Sequence, residues 1–187
     1  MSYKNKTLKR YLDDLAAKLP APGGGSAAAM SAALGVSLVS MVVNFTLGKP
    51  RYAKYEPELK KILDKSEKIR SQLLGLVDLD VAAYKSKNIR DCLNVPFMVA
   101  RLCFEAARLC PELIKKGNIN LISDVAVAVA LLESGFSAAY CNVEVNLKST
   151  GDKNLTQGIR KELMHKKTVV KNIRIETEAK IGKIIRG

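Results

Sequence analysis

Carboxylates and side-chain amides are the residues of this sequence whose types and spacing best suit chemistry. They occur inside or beside otherwise apolar segments, as Gly23, Gly24, Gly25 and Ser26 with Asn44; as Asp78 with Asp80; and as Asn118, Asn120, Ser123 and Asp124 with Asn142 and Asn146. Polar groups on a packed helix face need partners, so capping and contacts between helices are one explanation. Capping suffices for Ser123 and Asp124. For Asp80, Asn142 and Asn146 the sequence leaves a structural and a functional role equally open.

Asp80 lies in apolar surroundings. It is flanked at helical spacing by Leu76, Val77, Ala83 and Tyr84. A carboxylate pressed toward an apolar face costs free energy unless it is paired or used. Asp80 is therefore expected either to have a partner or to serve a function, and Asp78 lies two positions before it in the same segment.

Other catalytic chemistries lack their residues in this sequence. The one histidine, His165, lies in a lysine-rich stretch, so two-histidine metal sites are excluded within a single chain. There is no G-x-S-x-G nucleophile elbow, and Gly48-Lys49 lacks the spacing of a phosphate-binding P-loop. An enzyme with this sequence would use carboxylates and amides, and we expect it to bind no metal.

The segment from Pro20 to Ser26 is expected to open a helix. Two prolines interrupt the preceding element, and three consecutive glycines permit close backbone approaches. Ser26 is predicted to be the N-cap of a helix that starts at Ala27. Free N–H groups and the positive end of that helix can hold an anion. A tight turn that lets two helices pack closely explains the glycines equally well.

The segment that follows carries no charge between Lys18 and Lys49. Its length would allow one membrane crossing. It is, however, rich in alanine, serine and glycine, and it contains Asn44. Small residues on all sides suit a helix buried among other helices, so we favour a core helix and predict no membrane partner.

The rest of the chain shows helical periodicity and no alternating strand pattern. The predicted fold is all-α, a single domain over residues 1–187 built as an antiparallel helical bundle around the long buried helix. Pro96 is predicted to start the fourth helix, and Ser123 or Asp124 to cap the fifth. The predicted helices span residues 5–18, 27–47, 56–85, 97–114, 125–147 and 154–185.

The charge of the chain limits the classes of partner that it can be expected to bind. The formal net charge is +13, and residues 148–187 hold eleven basic and four acidic side chains. These basic residues are not interleaved with aromatics, which favours solvated helix faces and the steering of an anionic ligand over a nucleic-acid partner.

The four cysteines show no C-x-x-C spacing, as is typical of free thiols in a reducing cytoplasm. The uncharged run starts too late for a signal peptide.

Taken together, these segments resemble the cyclodeaminase/cyclohydrolase family. That family comprises the C-terminal domain of formiminotransferase-cyclodeaminase and the stand-alone bacterial methenyltetrahydrofolate cyclohydrolases. The matching segments follow the family's order and span most of the chain, from about residue 12 to 147. They are P-A-P-G-G-G-S-A-A-A at 20–29, V-S-M-V-V-N-F-T-L-G-K at 39–49, V-D-L-D with A-Y at 77–84, G-N-I-N with S-D at 117–124, and N-V with N-L at 142–147.

The resemblance implies an all-helical homodimer whose substrate is a tetrahydrofolate derivative and which holds no covalently bound cofactor. Family members convert 5-formiminotetrahydrofolate to 5,10-methenyltetrahydrofolate with loss of ammonia, or hydrolyse the methenyl form to 10-formyltetrahydrofolate. A partly buried aspartate with a raised pKa can protonate the departing amine or deprotonate the attacking water. By resemblance, catalysis falls to Asp80 with Asp78, and substrate binding to Gly23, Gly24, Gly25, Ser26, Asn44, Asn118, Asn120, Asp124, Asn142 and Asn146.

One departure from the family supports a second interpretation. Between Tyr84 and Val95 this chain has the ten residues 85–94, where the family usually has a longer loop bearing lysine and proline. A shortened loop would remove part of a lid over the site. The alternative is therefore a non-catalytic folate-binding or helical scaffold protein.

Overall fold

The computed structural model describes residues 2–187, and these residues form helices and no strands. The all-α prediction is confirmed. Three short 3-10 helices, Tyr3–Asn5, Pro50–Tyr55 and Ile119–Leu121, lie between the α-helices or before them. The α-helices are α1 Leu8–Ala16, α2 Gly24–Asn44, α3 Glu56–Ser86, α4 Ile89–Ala107, α5 Cys110–Lys116, α6 Ile122–Leu147 and α7 Lys153–Arg186.

The central helix α2 packs between α3 and α6, and it runs opposite to both. Ser26 meets Asp80 at one end of the α2–α3 pair, and the hydroxyls of Ser40 and Ser66 lie 2.8 Å apart toward the other. On the α6 side, a Cβ at Gly35 would lie 2.9 Å from Leu132 Cγ. Small residues therefore let the α2 and α6 backbones approach closely. The buried α2 residues are Gly25, Ser26, Ala28, Ala29, Ala32, Ala33, Gly35, Val36, Val39, Ser40, Val42 and Val43.

The start of α2 differs from the prediction. The helix begins at Gly24 with Gly23 as its N-cap, so the prediction that Ser26 is the N-cap is wrong. The reason is that a neighbouring helix does the capping. The Ser26 N–H, one of the amides that the first turn leaves unpaired, donates to the Asp80 carboxylate of α3.

The start of α4 also differs, because Pro96 lies inside the helix and does not begin it. The Asn88 side chain caps the helix by accepting from the N–H groups of Arg90 and Asp91 at 2.9 and 3.3 Å. Only Lys87, with a positive φ of 54°, and Asn88 connect α3 to α4. Residues 86–94, which lie outside the predicted helices, mostly form helix.

Two further boundaries were predicted wrongly. The helix predicted over residues 97–114 is broken after Ala107, and a separate helix α5 starts at Cys110 with Pro111 in its first turn. Ser123 and Asp124 lie inside the first turn of α6, which begins at Ile122 without a side-chain cap. The long helices α3 and α7 match their predicted ranges within a residue at each end.

Two helical segments of residues 2–187 are long and apolar enough to cross a membrane, α2 and residues 119–147. Within the fold, 61% of the apolar window of α2 is buried, against 39% of the window in 119–147. Helix α2 is thus a core helix. Helix α6 keeps an apolar face that residues 2–187 leave exposed.

Candidate active site

Asp80 meets the start of α2 more closely than a side chain at position 25 would allow. The Ser26 N–H donates to Asp80 Oδ2 at 2.9 Å. A Cβ built on Gly25 would lie 2.1 Å from Asp80 Oδ1, well inside van der Waals contact. The glycine at position 25 is therefore required by this close approach, and it brings the carboxylate onto the positive end of α2.

Two hydrogen bonds from the Ser26 side chain fix this end of α2. The Ser26 hydroxyl donates to the Val77 carbonyl of α3 at 3.1 Å and accepts from the Tyr11 hydroxyl at 3.2 Å. Ser26 is fully buried and Tyr11 nearly so. Helices α1, α2 and α3 are therefore tied together one turn away from Asp80, which holds the carboxylate in one place.

Burial raises the pKa of Asp80 above the ordinary aspartate value of 3.8, and the hydrogen bond from the Ser26 amide opposes that rise. Burial is the larger effect because it withdraws the charged form from water. The carboxyl group is thus less acidic than an exposed aspartate. Such a group can both take and return a proton during a reaction, as general acid–base catalysis requires.

A cleft of about 290 Å³ opens beside Asp80, between the start of α2 and the end of α6. The α6 side contributes two amides and one apolar side chain, and Tyr84 stands at the rim with 57% of its surface exposed. The lining residues are Pro20, Ala21, Gly23, Gly24, Gly25, Asp80, Ala83, Tyr84, Cys92, Asn142, Val145 and Asn146.

The two asparagines that line the cleft use their Nδ2 groups elsewhere and leave their acceptor oxygens free. Asn142 Nδ2 donates to the Ala138 carbonyl at 2.9 Å, and Asn146 Nδ2 donates to the Cys92 carbonyl at 2.6 Å. Among residues 2–187 nothing donates to either Oδ1 atom. With Asp80, the cleft therefore offers three acceptor groups to a ligand that carries N–H donors.

Six of the predicted site residues line this cleft, Gly23, Gly24, Gly25, Asp80, Asn142 and Asn146, and the fully buried Ser26 lies behind it, hydrogen-bonded to Asp80. Asp78 lies elsewhere, although it is only two positions from Asp80. Its carboxylate accepts from the Ser2 hydroxyl at 2.6 Å and from the Tyr3 N–H. Asp78 therefore fastens the N-terminal segment to α3.

The other four predicted residues lie toward the opposite end of α2. Asn44 ends that helix, about 30 Å from Gly24 by the rise of an α-helix. Asn118 donates through its N–H to Thr46 Oγ1 at 2.9 Å and through Nδ2 to the Phe45 carbonyl, and it accepts from the Asn120 N–H. Asp124 is in the first turn of α6. Within one chain, these residues do not share a cleft with Asp80.

Three residues of the site were not singled out from the sequence, namely Tyr11, Cys92 and Val145. Tyr11 and Val145 carry no local signal that separates them from ordinary apolar positions. Cys92 could have been found, because it stands four positions before Pro96. A proline inside a helix leaves the carbonyl four residues earlier without its usual donor.

A larger groove of about 560 Å³ lies between α3 and α4, but the charged side chains that line it are exposed to solvent. Its charged side chains include Lys61, Lys65, Lys68 and Glu105, all exposed, and Lys65 pairs with Glu105 at 3.2 Å. Exposed ion pairs of this kind contribute little to the free energy of folding, because water screens the two charges. The cleft at Asp80 is therefore the better candidate despite its smaller volume.

Comparison with known proteins identifies the family of the chain. The sequence model of the family described as Formiminotransferase-cyclodeaminase matches residues 7–88 and 85–165. The two matched segments overlap at residues 85–88, which include the short turn between α3 and α4.

Two curated proteins illustrate the relationship. The methenyltetrahydrofolate cyclohydrolase of Methylorubrum extorquens is 38% identical over 182 residues, which cover 85% of this chain and 88% of that protein. The formimidoyltransferase-cyclodeaminase of Rattus norvegicus is 29% identical over 174 residues, and the match spans 32% of that longer protein.

A solved structure shares the fold over nearly its whole length. The crystal structure of formiminotetrahydrofolate cyclodeaminase from Thermotoga maritima superposes with a TM-score of 0.92 at 27% sequence identity. The match covers 97% of this chain and 98% of that one. Sequence and structure therefore agree that the chain belongs to the formiminotransferase-cyclodeaminase family.

Proposed function

We propose that this chain is a folate one-carbon enzyme that hydrolyses 5,10-methenyltetrahydrofolate to 10-formyltetrahydrofolate. The observation that carries the proposal is the half-buried Asp80 carboxylate at the wall of a cleft lined with acceptor oxygens. The Methylorubrum extorquens cyclohydrolase supports this reaction, because the match covers most of that stand-alone protein.

The attacking water must lose both of its protons, and Asp80 can carry the first of them to N5. The Asp80 carboxylate takes a proton from a water molecule as its oxygen bonds to the methenyl carbon between N5 and N10. The resulting adduct still carries a hydroxyl group; its bond from that carbon to N5 then breaks as Asp80 returns the proton to N5, and the hydroxyl releases its own proton to solvent as the C=O bond of the formyl group forms. The formyl group stays on N10. A negative carboxylate also stabilises the cationic substrate, which is an electrostatic contribution to binding.

The acceptor oxygens of Asn142 and Asn146 suit a pterin ring, which presents several N–H groups along its edges. Both amides belong to the same cleft as Asp80, so one ring can contact them while its reacting carbon faces the carboxylate. The glutamate carboxylates of the folate point outward, where the net charge of +13 attracts anions.

The direct test is the loss of methenyltetrahydrofolate absorbance over time. We expect the parent protein to bleach it faster than buffer does. Asp80→Asn should lower the rate by about 10²- to 10⁴-fold, the usual contribution of a general acid–base group. Asp78→Asn is the matched control and should keep most of the activity. An inactive parent, or an active Asp80→Asn variant, would refute the proposal.

Formiminotetrahydrofolate cyclodeamination is the second candidate, because the Thermotoga maritima protein of the same fold carries that name. It would use Asp80 in its protonated form, delivering the proton to the amine that leaves. Release of ammonia from 5-formiminotetrahydrofolate separates the two activities. A protein that bleaches the methenyl substrate and releases no ammonia is a cyclohydrolase alone.

We also propose that two copies pair through an uncharged face formed by α2 and α6. Four of its residues are about half exposed or more, Leu34 at 55%, Phe45 at 58%, Val127 at 48% and Val145 at 63%. Apolar patches of this kind mark interfaces, and a face without charge lets two strongly basic chains approach. The face consists of Met30, Leu34, Met41, Phe45, Val127, Leu131, Cys141 and Val145.

The cytoplasm is the compartment that we propose for this enzyme. All four cysteines are free thiols in the structure. Burial raises the pKa of the Cys110 thiol to about 12, so that thiol stays protonated and unreactive. Free thiols of this kind persist in a reducing environment.

A further inference from the structure

Pro96 leaves one backbone acceptor beside the cleft without its helical partner. It is buried within α4, as the eighth residue of that helix, and it has no N–H group. In a regular α-helix the amide of residue 96 would donate to the carbonyl of Cys92. That carbonyl is therefore free to accept a hydrogen bond from outside α4.

Asn146 of α6 takes this acceptor. Its Nδ2 donates to the Cys92 carbonyl at 2.6 Å. Cys92 is itself held, because its N–H donates to the Asn88 carbonyl at 2.9 Å and its thiol to the Ala83 carbonyl of α3 at 3.4 Å. The anchor for the Asn146 amide is thus fixed to both α3 and α4.

The hydrogen bond to Cys92 also determines where the oxygen of the Asn146 amide lies. With Nδ2 bound to Cys92, the planar amide group cannot turn, and Oδ1 remains available to the cleft. We propose that Pro96 is a positioning residue of the folate site, which fixes the direction of the Asn146 acceptor through the Cys92 carbonyl. This inference rests on the proposed function for its ligand and on the contacts above for its geometry.

Pro96→Ala tests the inference by returning an N–H group that competes for the Cys92 carbonyl. We expect the calorimetric Kd for 5-formyltetrahydrofolate, a stable reduced folate, to rise roughly fivefold, as for loss of one net hydrogen bond. The kcat should stay within about twofold, because the proton transfer at Asp80 is untouched. Asn146→Asp should weaken binding similarly, because it keeps Oδ1 but replaces the Nδ2 donor with an oxygen that cannot donate to the Cys92 carbonyl.

A double-mutant cycle shows whether Pro96 acts through Asn146. In an Asn146→Ala background, Pro96→Ala should not change the Kd further. An equal further rise there would overturn the inference. The control Pro57→Ala removes a proline from the first turn of α3, where it frees no carbonyl, and should leave the Kd unchanged.

A readout without folate separates this inference from the proposed function. The Asn146 side-chain amide gives one pair of ¹H–¹⁵N signals, identified by its loss in Asn146→Ala. In Pro96→Ala that pair should shift toward the values of solvent-exposed asparagines. An unshifted pair would overturn the inference whether or not folate binds. Failure of every reduced folate to bind the parent would instead refute the proposed function.

Discussion

At the scale of single residues, Asp80 combines reactivity with a cost in stability. Burial in the folded protein raises the pKa of its carboxyl above the unfolded value, so the folded state binds a proton more tightly than the unfolded chain. As the pH rises above about 3.8, the ionised group therefore subtracts from the free energy of unfolding. A side chain selected for packing alone would not carry this penalty.

We predict that Asp80→Asn stabilises the protein at neutral pH. The amide has no charge to bury, and its oxygen can still accept the Ser26 N–H. The thermal unfolding midpoint of the variant should exceed that of the parent at pH 7, and the difference should shrink as the pH falls toward 3.8. A variant that is less stable than the parent at pH 7 would contradict this account.

Sequence spacing identified Asp80, Asn142 and Asn146 because each carries a polar group into an apolar helical pattern. Helical spacing favoured Asp80 over Asp78, because two positions on a helix point about 200° apart, but it could not show that Asp78 binds the N-terminal segment. It also could not place Asn44 and Asn118, because the direction in which helices pack decides which ends meet. These distinctions come from tertiary contacts alone.

At the scale of elements, the pairing of α2 with α6 depends on small residues along the contact. A Cβ added at Gly35 would lie 3.0 Å from the Ala128 carbonyl and 2.9 Å from Leu132 Cγ. The carbonyl belongs to the backbone and cannot move without shifting α6. Gly75 of α3, in contrast, has no atom within 4 Å of such a Cβ.

We predict opposite effects for two glycine-to-alanine substitutions within helices. Gly35→Ala should lower the free energy of unfolding by about 1–3 kcal/mol, because it overpacks the α2–α6 contact. Gly75→Ala should raise it by roughly 0.5–1 kcal/mol, because alanine restricts the unfolded chain and meets nothing in the fold. Urea denaturation of both variants measures the difference. Equal effects in the same direction would show that the contact does not limit packing.

The long helices were predictable because periodicity over 20 or more residues outweighs local irregularities. The boundaries near prolines were not. The sequence predicts that Pro96 starts a helix. The helical turns before Pro96 are nevertheless stable, because Asn88 caps them and Asn146 donates to the carbonyl that Pro96 leaves free. The break after Ala107 lies in a segment whose apolar pattern continues into α5. Pro111 was therefore the one sequence feature that indicated a new helix there.

At the scale of the whole molecule, the distribution of charge separates two kinds of surface. Basic side chains dominate the chain, with 31 lysines and arginines against 18 acidic residues. The uncharged face on α2 and α6 contains none of them. Like charges repel across an interface, so this face is where a second copy can approach at the lowest electrostatic cost.

We predict that Leu34→Lys converts a dimer to a monomer. The substitution places a charge at the middle of the uncharged face, where a partner would have to bury it. Sedimentation equilibrium should give twice the chain mass for the parent and a single chain mass for the variant. Leu12→Lys is the control, because Leu12 is 51% exposed on α1 and lies outside the face. A monomeric parent, or a dimeric Leu34→Lys variant, would refute the proposed pairing.

The connection between α3 and α4 sets how a ligand reaches the cleft. Lys87 and Asn88 are too few residues to fold over Asp80, and Tyr84 beside them is largely exposed. Enzymes with long covering loops often turn over at the rate at which the loop opens. In the described residues, 2–187, only this two-residue turn borders that edge of the cleft, so we expect a ligand to enter and leave past Tyr84 by diffusion, without waiting for a hinge.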